Sequence, residues 1–335
     1  MKIIASKISL FLIMLFLFSL IGCNNQGKVF QNTQDEPVNA TLVMASPTGT
    51  LSMVMNGVAE CVNKSYPGSV ISIIPGAGGA NIYRINNHEV DGGHTHSVLA
   101  YAAMHGQEPY NEKLANIAAI AGLYHSNQQF IIRKDLGIKS FDEIIEGKLK
   151  LRISVDQKGS MCPLAFSRLL AEYGFTIDDF NAWGGEVMYY NMNDSCSMMS
   201  DGLIDAALLS TFLPTPPIQE MSMNTQITIL EIGPNVIEAL VNKYGYEKII
   251  IPQDTYSFLN KDMLSFASRI ILIVPSDSTD DLPYKLAKSI TENLDYLKSI
   301  HSGLSEMNTS FMTQHLGIPL HSGAEKYYKE AGILK

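Results

Sequence analysis

The sequence predicts an α/β protein of two lobes, and three observations carry that prediction. Short apolar runs alternate with helix-like stretches from about residue 40 onward. The chain, 335 residues long, exceeds what one such core usually holds. Loops of small polar residues follow the apolar runs three times: Ser46-Pro-Thr-Gly-Thr50-Leu-Ser52, Pro75-Gly-Ala-Gly-Gly79-Ala-Asn81 and Lys158-Gly-Ser160-Met-Cys-Pro163. Alternation of this kind implies parallel sheets covered by helices on both faces.

In chain order, Thr41 to Ala45 reads as a strand, Leu51 to Lys64 as a helix, Val70 to Ile74 as a strand and Asn81 to Asn87 as a short helix. Ser97 to His105 follows as a helix and Gln129 to Arg133 as a strand, and Ser140-Phe-Asp-Glu143 is a capping box that opens another helix. Strand Leu149 to Val155, helix Pro163 to Tyr173, strand Val187 to Tyr190, helix Asp194 to Asp201 and strand Ala206 to Leu209 continue the pattern. The chain is expected to cross between lobes at the strand ending at Lys134 and at the strand Arg269 to Val274. This gives lobe I as 40–133 with 268–335, and lobe II as 134–267.

The N-terminus has the order of a bacterial lipoprotein leader. Lys2 and Lys7 precede an apolar run from Ile8 to Leu20, and Leu20-Ile-Gly-Cys23 supplies the small-residue cleavage site. Residues 1–22 are therefore expected to be a signal peptide, Cys23 the lipidated residue, and 23–39 a polar tether too poor in apolar residues to pack. The apolar run is shorter than a membrane-spanning helix needs. A formal net charge of -9 argues against nucleic acid as a partner, since phosphate neutralisation needs clustered Lys and Arg. Cys61, Cys162 and Cys196 have no metal-ligand spacing and read as small buried hydrophobes.

In open α/β sheets, ligands sit at the carboxyl ends of strands, where the next helix presents unpaired N–H groups. Two facing small-polar loops could hold a carboxylate there without an arginine. His94 and His96 alternate at strand spacing, so both rings could face one way, and zinc binding through them is the alternative reading. A protonated His94 in the cleft would strengthen a hydrogen bond to an anion. An exported hydrolase is a more distant alternative, because Gly159-Ser160 is not in a Gly-x-Ser-x-Gly turn. Trp183 reads as a packing residue, Met188 to Met199 as core and surface filler, and Tyr327 and Tyr328 as docking the last helix.

Five stretches resemble the TAXI class of solute receptors that serve TRAP (tripartite ATP-independent periplasmic) transporters. They are Asn87-His-Glu-Val-Asp-Gly-Gly-His-Thr-His-Ser-Val-Leu-Ala-Tyr101, Phe130-Ile-Ile-Arg-Lys-Asp-Leu-Gly-Ile-Lys-Ser140, Trp183-Gly-Gly185, Asp201-Gly-Leu-Ile-Asp-Ala206 and Pro319-Leu-His-Ser-Gly-Ala-Glu-Lys-Tyr-Tyr328. Their order and spacing cover the chain from about residue 40 to its end. The resemblance implies a type II periplasmic-binding-protein fold with two hinge strands, no catalysis and no cofactor. It also implies a monomer that binds a small organic anion, such as glutamate or another carboxylate, and passes it to membrane subunits. By the same resemblance, Thr48, Gly49, Thr50, Ser52, Asn81, His94, His96, Tyr101, Gly159, Ser160 and Met161 line the cleft, and Ser210, Thr211 and Phe212 close it. This chain departs from the family pattern at Pro47, Leu51, Met53, His94 and Met161-Cys162.

Overall fold

A computed structural model describes residues 36–44 and 50–335; the leader, Cys23, most of the tether, Thr48 and Gly49 lie outside the described residues, as does the side chain of Thr50. Strand β1 (Asn39–Val43) leads to helix α1 (Thr50–Ser65), β2 (Val70–Ile74), α2 (Gly78–Asn86), β3 (Gly92–His96) and α3 (Ser97–His105). Next come β4 (Ala118–Arg133), α4 (Phe141–Glu146), β5 (Arg152–Ser154), α5 (Met161–Glu172), α6 (Ile177–Ala182), β6 (Glu186–Met188), α7 (Met192–Ser200) and β7 (Ala206–Thr211). The remainder is α8 (Pro216–Asn224), β8 (Ile227–Ile229), α9 (Pro234–Tyr244), β9 (Glu247–Ile251), β10 (Met263–Val274), α10 (Asp281–Glu292), α11 (Leu294–Ile300), α12 (Thr309–Thr313) and α13 (Ser322–Glu330).

All ten strands join one sheet in the order β2-β1-β3-β10-β4-β7-β5-β6, with β8 on β4 and β9 on β10. Its flanks are parallel, β2-β1-β3 on one side and β7-β5-β6 on the other, as βα alternation predicts. The centre departs from the all-parallel expectation, because β3-β10-β4-β7 pair antiparallel. Strand β10 arrives late in the chain and enters between β3 and β4 with no helical crossover to either, so nothing imposes a parallel direction.

Both central strands are longer than the sequence suggests. The first half of β4, Ala118-Ala-Ile-Ala-Gly122, is built of small residues and is buried on both faces. Its middle, His125-Ser-Asn-Gln-Gln129, is polar and interrupts the apolar run, so the pattern does not read as one strand. Strand β3 escapes the same reading because Gly92-Gly-His-Thr-His96 has no apolar alternation. Gly93 is required there, since a Cβ would run into the Val43 carbonyl.

Helix α1 buries Val54, Met55, Val58, Cys61 and Val62 against Leu286, Ala287 and Ile290 of α10 and Leu297 of α11. At Gly57 the chains come so close that a Cβ would strike the end of the Ile300 side chain. One large core covers the face carrying α2, α3 and α5, and two smaller cores cover the other face. Trp183 packs edge-on to Phe175 and Phe180 and donates through Nε1 to Leu149 O at 3.3 Å, the packing role expected of it. Tyr328, fully buried, docks the last helix by donating to Ile120 O at 3.0 Å. Cys61, Cys162 and Cys196 are buried free thiols, and burial raises all three pKa values above the usual thiol range. Among the described residues no helix is long and apolar enough to cross a membrane.

Candidate functional site

The central strands change partners partway along their length. Strand β10 pairs with β9 through Met263–Ala267 and with β3 only through Ile270–Ile273. Strand β4 meets β7 from Asn127 onward, where its pairing with β10 ends. Such a switch point is where open α/β sheets leave a crevice. At this point the apolar runs of β4 and β10 give way to His125-Ser-Asn-Gln-Gln129 and Ser265-Phe-Ala-Ser-Arg269.

Strand alternation sends these residues to opposite faces. On one face an uncharged row crosses four adjacent strands: His96 on β3, Ser268 on β10, Ser126 and Gln128 on β4, and Ser210 on β7. His96 Nδ1 lies 2.7 Å from Ser268 Oγ. Ser268 is the direct cross-strand partner of Ser126, whose Oγ lies 2.8 Å from Ser210 Oγ. Gln128 Nε2 donates to Ser210 Oγ at 2.6 Å.

Helix N-termini flank both ends of the row. At the β3 end, Gly78, the first residue of α2, approaches His96 so closely that a Cβ there would sit 3.2 Å from the ring. At the β7 end, the Cys162 thiol of α5 lies against the Ser210 backbone. Ser160 is the N-cap of α5, yet its hydroxyl makes no capping bond. Gly159 precedes it at φ 87°, a left-handed conformation that suits glycine. Burial raises the carboxyl pKa of Asp156, opposed by the N–H of Gln157 and the hydroxyl of Ser160.

The predicted site residues fall into three groups. His96, Ser160, Met161 and Ser210 lie on or beside the row. Asn81 and His94 lie just behind it and are occupied by the protein: the Asn81 carboxamide accepts from Ala77 N at 3.0 Å and donates to Met44 O and His94 O at 3.2 and 3.0 Å. Asn81 Nδ2 also lies 3.3 Å from His94 Nδ1. The third group stands apart. Tyr101 stacks on His105 at 4.2 Å, Ser52 faces Asn56 along α1, and Thr211 offers its carbonyl to Asn127 Nδ2 at 3.2 Å. The Phe212 ring is enclosed between Tyr124 and His301 at 4.0 and 4.5 Å and presses on Gly303.

The strengthening that protonation of His94 would bring is opposed by its surroundings. Burial pushes its pKa down to about 4 against the Val43 carbonyl, and burial with the neighbouring His94 pushes His96 down to about 3. Both rings are neutral at physiological pH. They share one face as predicted, but among the described residues no set of three or more His, Cys, Asp or Glu assembles that could hold a metal ion. Ser126, Gln128 and Ser268 are the site residues that sequence reasoning missed. Their signal is a polar interruption in two strands that are apolar on either side of it.

The opposite face of the same strands carries charge. His125 Nδ1 lies 2.9 Å from Glu306 Oε2, and its Nε2 lies 3.2 Å from Glu247 Oε2. Arg269 pairs with Glu247, donates to Phe311 O and Gln314 O at 2.6 and 2.8 Å, and lies 3.8 Å over the Phe311 ring. Burial would lower the His125 pKa, but the hydrogen bonds to Glu247 and Glu306 carry it above the usual imidazole range.

Among solved structures, the chain is similar to a TctC solute binding protein from Polaromonas, at 14% identity and TM-score 0.50 over 89% of this chain and 99% of that one. It is also similar to the alkanesulfonate-binding protein SsuA from Xanthomonas axonopodis pv. citri, at 12% identity and TM-score 0.47 over 88% and 84%. The first likeness agrees with the mixed sheet in showing a periplasmic-binding-protein fold. A family model matches residues 42–332, and the chain belongs to the NMT1-like family.

Proposed function

We propose that the chain is an extracytoplasmic solute receptor, anchored through lipid on Cys23, that binds a small organic anion and delivers it to the membrane subunits of a TRAP transporter. The anion is an amino acid or another carboxylate. The receptor works as a monomer, without catalysis, and its lobes are 40–133 with 268–335 and 134–267. One observation carries the reading. An uncharged, hydrogen-bonding row crosses β3, β10, β4 and β7 where these strands change partners, and the N-termini of α2 and α5 flank it. Helix N-termini favour a carboxylate through their free N–H groups and dipole. The resemblance of Asn87 to Tyr101 and Pro319 to Tyr328 to TAXI receptors supports the TRAP assignment.

The test is a thermal-melt panel on the detergent-solubilised chain with amino acids, dicarboxylates, oxo acids, sugars and zinc. A solute at 100 times its Kd adds about 2.7 kcal/mol to folding stability. A rise in Tm with one carboxylate class supports the receptor and names its group. A rise with zinc alone, reversed by chelator, sinks it.

A further inference from the structure

We infer that the carboxamide of Gln128 is reserved for the solute, and that the solute meets it with an uncharged hydrogen-bonding group. The inference rests on the receptor reading and narrows its substrate class. Gln128 is 0% exposed, and one end of its amide is bonded to Ser210 while Oε1 has no partner. Interchanging the amide oxygen and nitrogen only changes which end is left over. Burying a polar atom without a partner is costly, and folded proteins seldom retain one without a use.

Its neighbour shows that the strand can satisfy such a group. Gln129, equally buried on the other face, donates to Phe212 O and Thr215 Oγ1 at 3.4 and 3.1 Å and accepts from the Tyr256 hydroxyl at 2.5 Å. The start of α5 borders the same end of the row: the Cys162 thiol touches the Ser210 backbone, and two residues earlier the Ser160 hydroxyl meets the Asp156 carboxyl.

Charge complementarity sets the class of the missing partner. The row contains hydroxyls, one carboxamide and an imidazole, with no Lys, Arg, Asp or Glu among them. Arg269, beside Ser268 in sequence, points to the opposite face and is neutralised by Glu247. Asp156, next to Ser160, disfavours a second carboxylate at this end. An ammonium or carboxylate brought against Gln128 would lose its water without gaining a counter-charge. A carboxamide is best matched by an amide, a hydroxyl or a neutral ring nitrogen.

The test uses matched pairs differing only at that end, L-glutamine against L-glutamate and succinamate against succinate, on wild type and Gln128→Met. The neutral-ended member of a pair should bind at least tenfold tighter to wild type. Gln128→Met should abolish that preference while its ligand-free Tm stays level or rises, since the substitution removes an orphaned polar atom. Gln128→Glu, nearly isosteric, should weaken both members and the carboxylate-ended one more. Preference for the charged twin, or discrimination retained in Gln128→Met, overturns the inference and leaves the receptor standing. A fall in ligand-free Tm in both variants assigns the amide to folding and also overturns it. If wild type responds to none of these carboxylates nor to any in the wider panel, the receptor reading fails and takes this inference with it.

Discussion

The two faces of β4 and β10 at the switch point are made from consecutive residues and solve opposite problems. His125 and Arg269 on one face are charged, and both are held by carboxylates from β9 and from the segment before α12. Ser126 and Ser268, one residue away on the same strands, belong to a neutral row that stops short of satisfying all its members. Charge at a strand crossing is tolerable only where geometry completes it, so the finished network marks the face that holds the fold. The incomplete one is the face we propose for the solute.

The largest expected effect comes from breaking the charged face. Arg269 is 4% exposed, and Arg269→Met strands Glu247 and the carbonyls of Phe311 and Gln314. Denaturant unfolding should show a loss of about 3–5 kcal/mol, the range for a buried pair stripped of one partner. Ser268→Ala on the neutral face should cost only about 1 kcal/mol, the net worth of an ordinary hydrogen bond. The same variant should reduce the solute-induced rise in Tm, and an undiminished rise would remove Ser268 from the site.

The histidines of the two faces should also respond to pH in opposite senses. His125 has a raised folded pKa, so its contribution is complete below about pH 6.5 and fades as pH climbs through the folded value. His94 and His96 have lowered values, so theirs is complete above about pH 6.5 and is lost as pH falls toward about 4 and about 3. Unfolding free energy measured from pH 3 to 9 should therefore decline at both ends. His125→Gln should flatten the alkaline side, and an undiminished alkaline decline would contradict the role given to His125; the acid side also changes, because His125 helps hold the Glu247 and Glu306 pKa values down. The smallest effect is expected from Glu306→Gln. The Glu306 side chain is 66% exposed, and exposed ion pairs contribute about 0–1 kcal/mol, so its Tm should move by little.

Much of the frame was legible in the sequence. Val70–Ile74 and Ser97–His105 coincide with β2 and α3, and Ser140 caps α4 by accepting from Glu143 N, although the Glu143 carboxylate accepts from Lys139 N and not from Ser140 N as a full capping box requires. These segments have one buried side or a local capping signal, and pattern reports both. The first half of β4 has neither, because its Ala and Gly residues are set by how closely layers approach from both sides. The site divides the same way. Ser160 stands at a helix start, where loop chemistry points to it, His96 is marked by its spacing from His94, and Ser210 by the family resemblance alone. Ser126, Gln128 and Ser268 stand inside strands, and only the pairing of β4 with β10, between segments far apart in sequence, brings them into line.

The place of β10 in the sheet also governs when the molecule can first exist. The bond between His96 and Ser268 joins positions 172 apart, and the bond from Tyr328 to Ile120 spans 208. Loops of that size close slowly. A growing chain cannot join its two sheet flanks until its final strand has been synthesised, because β10 stands between β3 and β4. Until then the β2-β1-β3 and β7-β5-β6 flanks have no strand to hold them in one sheet.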